Sequence, residues 1–148
     1  MKGSTDEFEA LIEELAEHGR EDICWSREQI RELIVEDREG PLHFVNLLGF
    51  FEEARYPEDH ELSQGKLGGV DAYALYGKVA FKHVTQRRGQ FVLHNNAERT
   101  LIGSEGNWHQ VAVAQYPNTD AFLDMLQDPE YIASLVSKKQ KVWRTLWL

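Results

Sequence analysis

The sequence predicts an α+β fold, a β-α-β-β-α-β body preceded by a helical hairpin, and three observations point to it. Residues 42–50, LHFVNLLGF, are apolar on both alternating faces, the pattern of a strand covered on two sides. Val70, Tyr73, Ala74, Gly77, Phe81 and Val84 then recur at helical spacing. From Gly106 to Tyr131 the chain reads as a strand, a Tyr116-Pro117-Asn118 break, a short helix, and a second helix opened by Asp128-Pro129-Glu130-Tyr131.

Each element has its own local reason. Phe8, Leu11, Ile12, Leu15 and Ala16 line one face of a first helix, with Ser4 and Glu7 as a capping box and Gly19 as its stop. A second helix starts at Ser26, where Gln29 completes another capping box and Trp25 with Ile30 forms a hydrophobic staple. Ile30, Leu33 and Ile34 supply its apolar face, and Gly40-Pro41 ends it. After the 42–50 strand, FEEARYPEDHELSQGKLGG reads as a long loop. The helix over Val70–Val84 is expected to end at Arg87-Arg88, with Gly89 as a left-handed cap. Gln90–His94 and Glu98–Gly103 read as interrupted strand, Ser104–Asn107 as a hairpin turn, and Trp108–Tyr116 as the next strand. Asn118 or Thr119 caps a short helix through Leu126. Asp128 caps another, with Pro129 in its first position and Ile132, Leu135 and Val136 facing inward. Val142–Leu148 alternates as a last strand.

Composition narrows the function classes. A chain of 148 residues suits one domain with a real core. Its net charge of −9 is unevenly placed: residues 1–40 carry 5 Lys/Arg against 13 Asp/Glu, whereas residues 41–148 carry 11 against 12. Neither part has the clustered cations of a phosphate-backbone binder, so no nucleic-acid partner is expected. No apolar run reaches the roughly 20 residues of a membrane span. The acidic start lacks a secretory h-region, and Cys24 is alone, so a cytoplasmic home is expected. The organisation is therefore an acidic hairpin extension over 1–40 and a body over 41–148. The hairpin either packs on its own domain or a partner subunit, or serves as a docking arm.

The β-α-β-β-α-β order is the ferredoxin-like split βαβ unit, a four-stranded antiparallel sheet with helices on one side. Strands apolar on both faces need a second cover, which predicts a homodimer. Several pieces of sequence then carry a resemblance. They are Val45-Asn46-Leu47-Leu48 with Phe50, Tyr56-Pro57, Ala72-Tyr73 with Tyr76-Gly77, Leu101-Ile102-Gly103, Trp108, Tyr116-Pro117, Ala121-Phe122 and Asp128-Pro129-Glu130-Tyr131. On these the body resembles the uncharacterised family catalogued as domain of unknown function 1330, in the dimeric α/β-barrel superfamily. The resemblance implies a cavity between sheet and helices lined by a few polar groups. Two departures stand out: His109 where the family often has an acidic residue, and Lys138-Lys139 where it often has His-Arg. Lysine is a point charge and lacks the arginine fork.

Candidate site residues follow from polar groups on apolar elements. Asn46 lies in the middle of an apolar strand, so its amide either pairs with backbone or water or points into a cavity. Tyr73 and Tyr76 open the helix after the long loop, which places their hydroxyls near a cavity mouth or in the core as amphipathic caps. His43, His94 and His109 fall on strands without a metal-ligand spacing, so no metal is expected. His109 is the candidate acid/base by residue class. Trp108 is its immediate neighbour, so on a regular strand the two face opposite ways and only one lines a given cavity. The resulting expectation is a small-molecule binder or cofactor-free enzyme acting on an apolar or aromatic ligand. Its pocket would be built from Asn46, Tyr73, Tyr76 and either Trp108 or His109. The alternative is a non-enzymatic dimeric module in which the acidic hairpin docks a partner or seals the dimer.

Overall fold

A computed structural model describes residues 5–18, 26–36, 39–104, 106–138 and 141–147. The elements run α1 (Thr5–His18), α2 (Arg27–Glu36), β1 (Leu42–Phe50), α3 (Gly69–Gln86), β2 (Gln90–Asn96), β3 (Gln110–Tyr116), α4 (Thr119–Leu126), α5 (Pro129–Lys138) and β4 (Lys141–Trp147). The body is α+β. Its antiparallel sheet has the order β2-β3-β1-β4, so β1 is central and β2 is an edge. Among the described residues no helix is long and apolar enough to cross a membrane.

Period-two alternation sorts the sheet into two faces. Leu42, Phe44 and Leu48 of β1 and Ala112, Ala114 and Tyr116 of β3 are buried on the helix side. Of these, Leu42, Phe44, Ala114 and Tyr116 join Tyr76, Ala80 and Val84 of α3, Phe122, Met125 and Leu126 of α4, and Tyr131 and Leu135 of α5 in one apolar core. On the other face Val45, Leu47, Val111 and Val113 are only half-buried. They are adjacent across the sheet, since Val45 pairs with Val113 and Leu47 with Val111.

Local signals place most ends. The Ser26 box forms in both directions: Ser26 N–H donates to Gln29 Oε1 at 2.9 Å, and Gln29 N–H donates to Ser26 Oγ at 3.2 Å. Asn118 Oδ1 accepts from Ala121 N–H and starts α4, and Asp128 Oδ1 accepts from Glu130 N–H and starts α5. In the hairpin, Arg27 pairs with Glu13 and Arg31 with Glu9, all exposed, while Leu11, Ile12, Ile30 and Leu33 are buried and belong to the same apolar cluster as the body. The burial, more than the exposed ion pairs, holds the helices together. Ser4, Gly19, Cys24 and Trp25 lie outside the described residues, as do the side chains of Phe8, Leu15, Ala16 and Val136.

Three expectations are corrected. Glu98–Gly103 is not strand; it belongs to a long β2–β3 connection on which Leu101 and Ile102 are 87% and 90% exposed. Trp108 and His109 precede β3, although Ala97 N–H still donates to His109 O at 2.9 Å. Gly89 is not the left-handed residue after α3. Arg88 is, at φ 60°. Arg88 N–H bonds Thr85 O and Gly89 N–H bonds Val84 O, which is the two-bond Schellman ending. Gly89 is required for room: a Cβ there would sit 2.7 Å from Gln115 O and 2.8 Å from Val84 Cγ1.

Two glycine substitutions therefore have opposite expected outcomes in urea unfolding. Gly89→Ala lowers stability by about 1–3 kcal/mol through overpacking against backbone. Gly77→Ala, within α3 where a Cβ meets nothing within 4 Å, raises it by roughly 0.5–1 kcal/mol.

Candidate functional site

Between α3 and the helix-side face of the sheet lies a cavity of about 740 Å³. Small residues make it. Gly77 and Ala80 of α3 face Ala112 and Ala114 of β3, so neither wall fills the gap between helix and sheet. Aromatic rings surround the gap. Phe44 stacks on Phe122 at 4.4 Å between centroids, Tyr116 meets both edge-on, and Tyr73 lies 5.2 Å from Tyr76. At the open side, Phe81 of α3 stacks on Phe91 of β2 at 6.0 Å, with Phe81 58% exposed. The mouth thus lies between α3 and the edge strand.

Polar groups are few and grouped. Asn46 sits on the cavity wall, and its amide nitrogen donates to Phe44 O at 3.3 Å and Ala112 O at 3.4 Å. Both parts of the alternative read from the sequence therefore hold for it: backbone pairing and a place at the cavity. Tyr73 and Tyr76 also line the cavity, and the Tyr76 and Tyr131 hydroxyls share a hydrogen bond of 3.1 Å. Burial, reinforced by neighbouring tyrosines, pushes the phenols of Tyr73, Tyr76 and Tyr116 well above the usual tyrosine range. All three are neutral hydroxyls near neutral pH. They suit hydrogen bonding to a ligand and not proton abstraction.

The other two expected residues lie elsewhere. His109 is exposed: its Nδ1 accepts from Phe50 N–H at 2.9 Å and its ring stacks on Phe50 at 5.8 Å, a clasp at the end of β1. The indole of Trp108 occupies the space a side chain on Gly106 would take. Neither lines the cavity, because the regular strand assumed for them begins only at Gln110.

Two groups went unread in the sequence. His94 and Gln110 line the cavity from β2 and β3, their side chains joined at 3.1 Å. The second group stands on the α5 side of α3. His83, only 2% exposed, has Nε2 at 3.0 Å from Glu130 and Nδ1 at 3.0 Å from Arg87 Nη1 and 3.4 Å from Asp128. Its ligand atoms and those of Asp128 and Glu130 lie within 4.8 Å of one another. Two cations already fill this site: Lys82 Nζ is 2.6 Å from Glu130, and Arg87 contacts Asp124 at 2.6 Å and Asp128 at 3.3 Å. The Lys82 ammonium bond holds the Glu130 carboxyl below its usual range. The cluster is a clasp joining α3 to the α4–α5 corner. Its sequence signal was the spacing His83–Arg87, one helical turn, opposite the acidic helix start.

The tyrosines make alkaline behaviour testable. An unfolded chain releases phenol protons near pH 10, whereas the folded chain retains those of Tyr73, Tyr76 and Tyr116. Fewer protons are then bound by the unfolded state, so stability is full below about pH 10 and falls as pH rises beyond it. Tyrosinate absorbance is expected to show these three of the five tyrosines ionising together with loss of the fold, measured in parallel by circular dichroism.

No protein-family model and no curated protein matches this chain. Among solved structures, the methylated RPA0582 protein superimposes with a TM-score of 0.76 at 30% identity, over 85% of this chain and 92% of that one. A second structure of RPA0582, described as a protein of unknown function from Rhodopseudomonas palustris, matches with a TM-score of 0.76 over 94% of its length. SnoaB, a cofactor-independent oxygenase from Streptomyces nogalater, aligns at 13% identity over 74% of this chain and 91% of that one, with a TM-score of 0.44. At 30% identity over nearly the whole of RPA0582, the chain belongs to the same family as that Rhodopseudomonas palustris protein.

Proposed function

We propose that this protein binds a small, largely aromatic molecule in the cavity between α3 and the sheet, as a ferredoxin-like member of the dimeric α/β-barrel group related to domain of unknown function 1330. The observation that carries the reading is the cavity itself: about 740 Å³, walled by aromatic rings, with a few polar groups among them. Pockets of this size and composition are typical of small-molecule sites. Flat rings stacking against Phe44, Phe81 and Phe91 would supply affinity, and the neutral hydroxyls of Tyr73 and Tyr76 would orient oxygen atoms.

The second part of the proposal is a homodimer. Val45, Leu47, Val111 and Val113 form a contiguous half-buried apolar group on the sheet face opposite the cavity. Covering such a face with a second copy removes apolar area from water without touching the cavity. The acidic hairpin over residues 1–40 is read as an extension to this body.

Thermal unfolding with naphthalene-sized ligands tests the binding reading. A ligand at one hundred times its dissociation constant is expected to stabilise the fold by about 2.7 kcal/mol. Ala112→Phe, which places a ring in the cavity floor, is expected to abolish that shift while the variant still unfolds cooperatively. A wild-type protein unmoved by any such ligand up to its solubility limit would overturn the reading.

A further inference from the structure

The edge strand β2 carries an irregularity that decides which of its side chains face the cavity. Phe91 pairs with Ala114, and the next paired residue is Leu93, opposite Val113; Val92 is the extra residue of a β-bulge. Ala112 and Ala114 face the helices, and Val113 faces the other way. Strict alternation from Phe91 would therefore send Leu93 to the cavity and His94 away from it. The bulge reverses this parity, so that His94 pairs with Ala112 and Asn96 with Gln110. His94 comes to line the cavity, while Leu93 turns to the opposite face.

A hydrogen-bond chain then sets the imidazole. Gln110 Nε2 donates to Asn96 Oδ1 at 3.3 Å, which leaves Gln110 Oε1 as the group facing His94 Nε2 at 3.1 Å. An amide oxygen only accepts, so His94 Nε2 carries the proton and Nδ1 presents a lone pair. The same row of the sheet runs from His94 across Ala112 to Asn46. With neighbouring strands about 4.8 Å apart, His94 and Asn46 stand about 10 Å apart, with only a methyl group between them. A flat ring fits that interval.

We propose that His94 is the residue that recognises the ligand, its Nδ1 accepting a hydrogen bond from a phenol or enol hydroxyl, with Gln110 and Asn96 as positioning residues. This rests on the cavity reading above and adds the substrate class: an aromatic or conjugated compound bearing an acidic hydroxyl. His94 is exposed on the mouth side, which lets such a hydroxyl reach it as the ring slides past Phe81 and Phe91. Tyr73 and Tyr76, as neutral phenols, are weaker hydrogen-bond acceptors than an imidazole lone pair.

Two probes separate the claims: 2-naphthol, which has the hydroxyl, and 2-methoxynaphthalene, which keeps the ring and loses the donor. By fluorescence titration the wild-type protein is expected to bind 2-naphthol about 2- to 10-fold more tightly than the ether, the value of one hydrogen bond. His94→Leu is expected to remove that preference, so that both probes bind alike, and Gln110→Leu to weaken it. Nitrogen-15 NMR of the His94 ring gives an independent readout: an Nε2–H tautomer in the free protein, with the Nδ1 resonance moved by 2-naphthol and unmoved by the ether. Equal binding of both probes by the wild type, or a preference that survives His94→Leu, overturns the role of His94 while the cavity reading stands. Failure of both probes to bind overturns the two together.

Discussion

The helix side of this protein depends on the register between β1 and β3. That pairing sets Ala112 opposite Asn46 and Ala114 opposite Phe44. Two methyl groups in the middle of the sheet cannot reach α3, and α3 answers with Gly77 and Ala80. Protein interiors normally close to crystal-like density, so a gap of this size persists only where something props the layers apart. Here the props are rings: Phe44, Tyr116 and Phe122 at one end and Phe81 against Phe91 at the other. A slip of β3 by one residue against β1 would turn both alanines to the opposite face and fill the space with Val111 and Val113.

Helix α3 is consequently a two-sided element. One stripe, through Tyr73, Gly77 and Ala80, forms a cavity wall, while the end of the helix, through His83 and Arg87, is fastened to the start of α5 by a buried imidazole and the ion pairs of Lys82 and Arg87. Cations and carboxylates gather where rigidity is needed, and neutral hydroxyls where a ligand would come. Gly89 completes the anchoring by letting the helix end approach Gln115 of β3 more closely than any side chain permits.

Most element starts were legible in the sequence because they are set by short-range chemistry. Ser26 with Gln29, Asn118 and Asp128-Pro129 each cap a helix within four residues, and β1 shows its burial in a largely apolar run. The tyrosines at the start of α3 and the asparagine of β1 were legible as cavity residues for a related reason, being polar groups on apolar elements. Legibility failed where non-local contacts decide. Leu101-Ile102 has the composition of a strand but pairs with no strand among the described residues and stays in an exposed connection. Arg88 takes the left-handed position because Gly89 is needed for close approach, which no neighbouring residue advertises. His94 looked like any strand histidine, since the parity of β2 is known only once its partners on β3 are known.

The bulge at Val92 also bears on how relatives of this chain are compared. A homologue of the same length between the counterparts of Phe91 and His94 that pairs without the bulge would keep the same letters and exchange their sides. Its histidine would leave the cavity and join the outer face, and its leucine would take the interior place. Bulge and strand length together therefore separate members that share the histidine as a letter from members that share it as a chemical group.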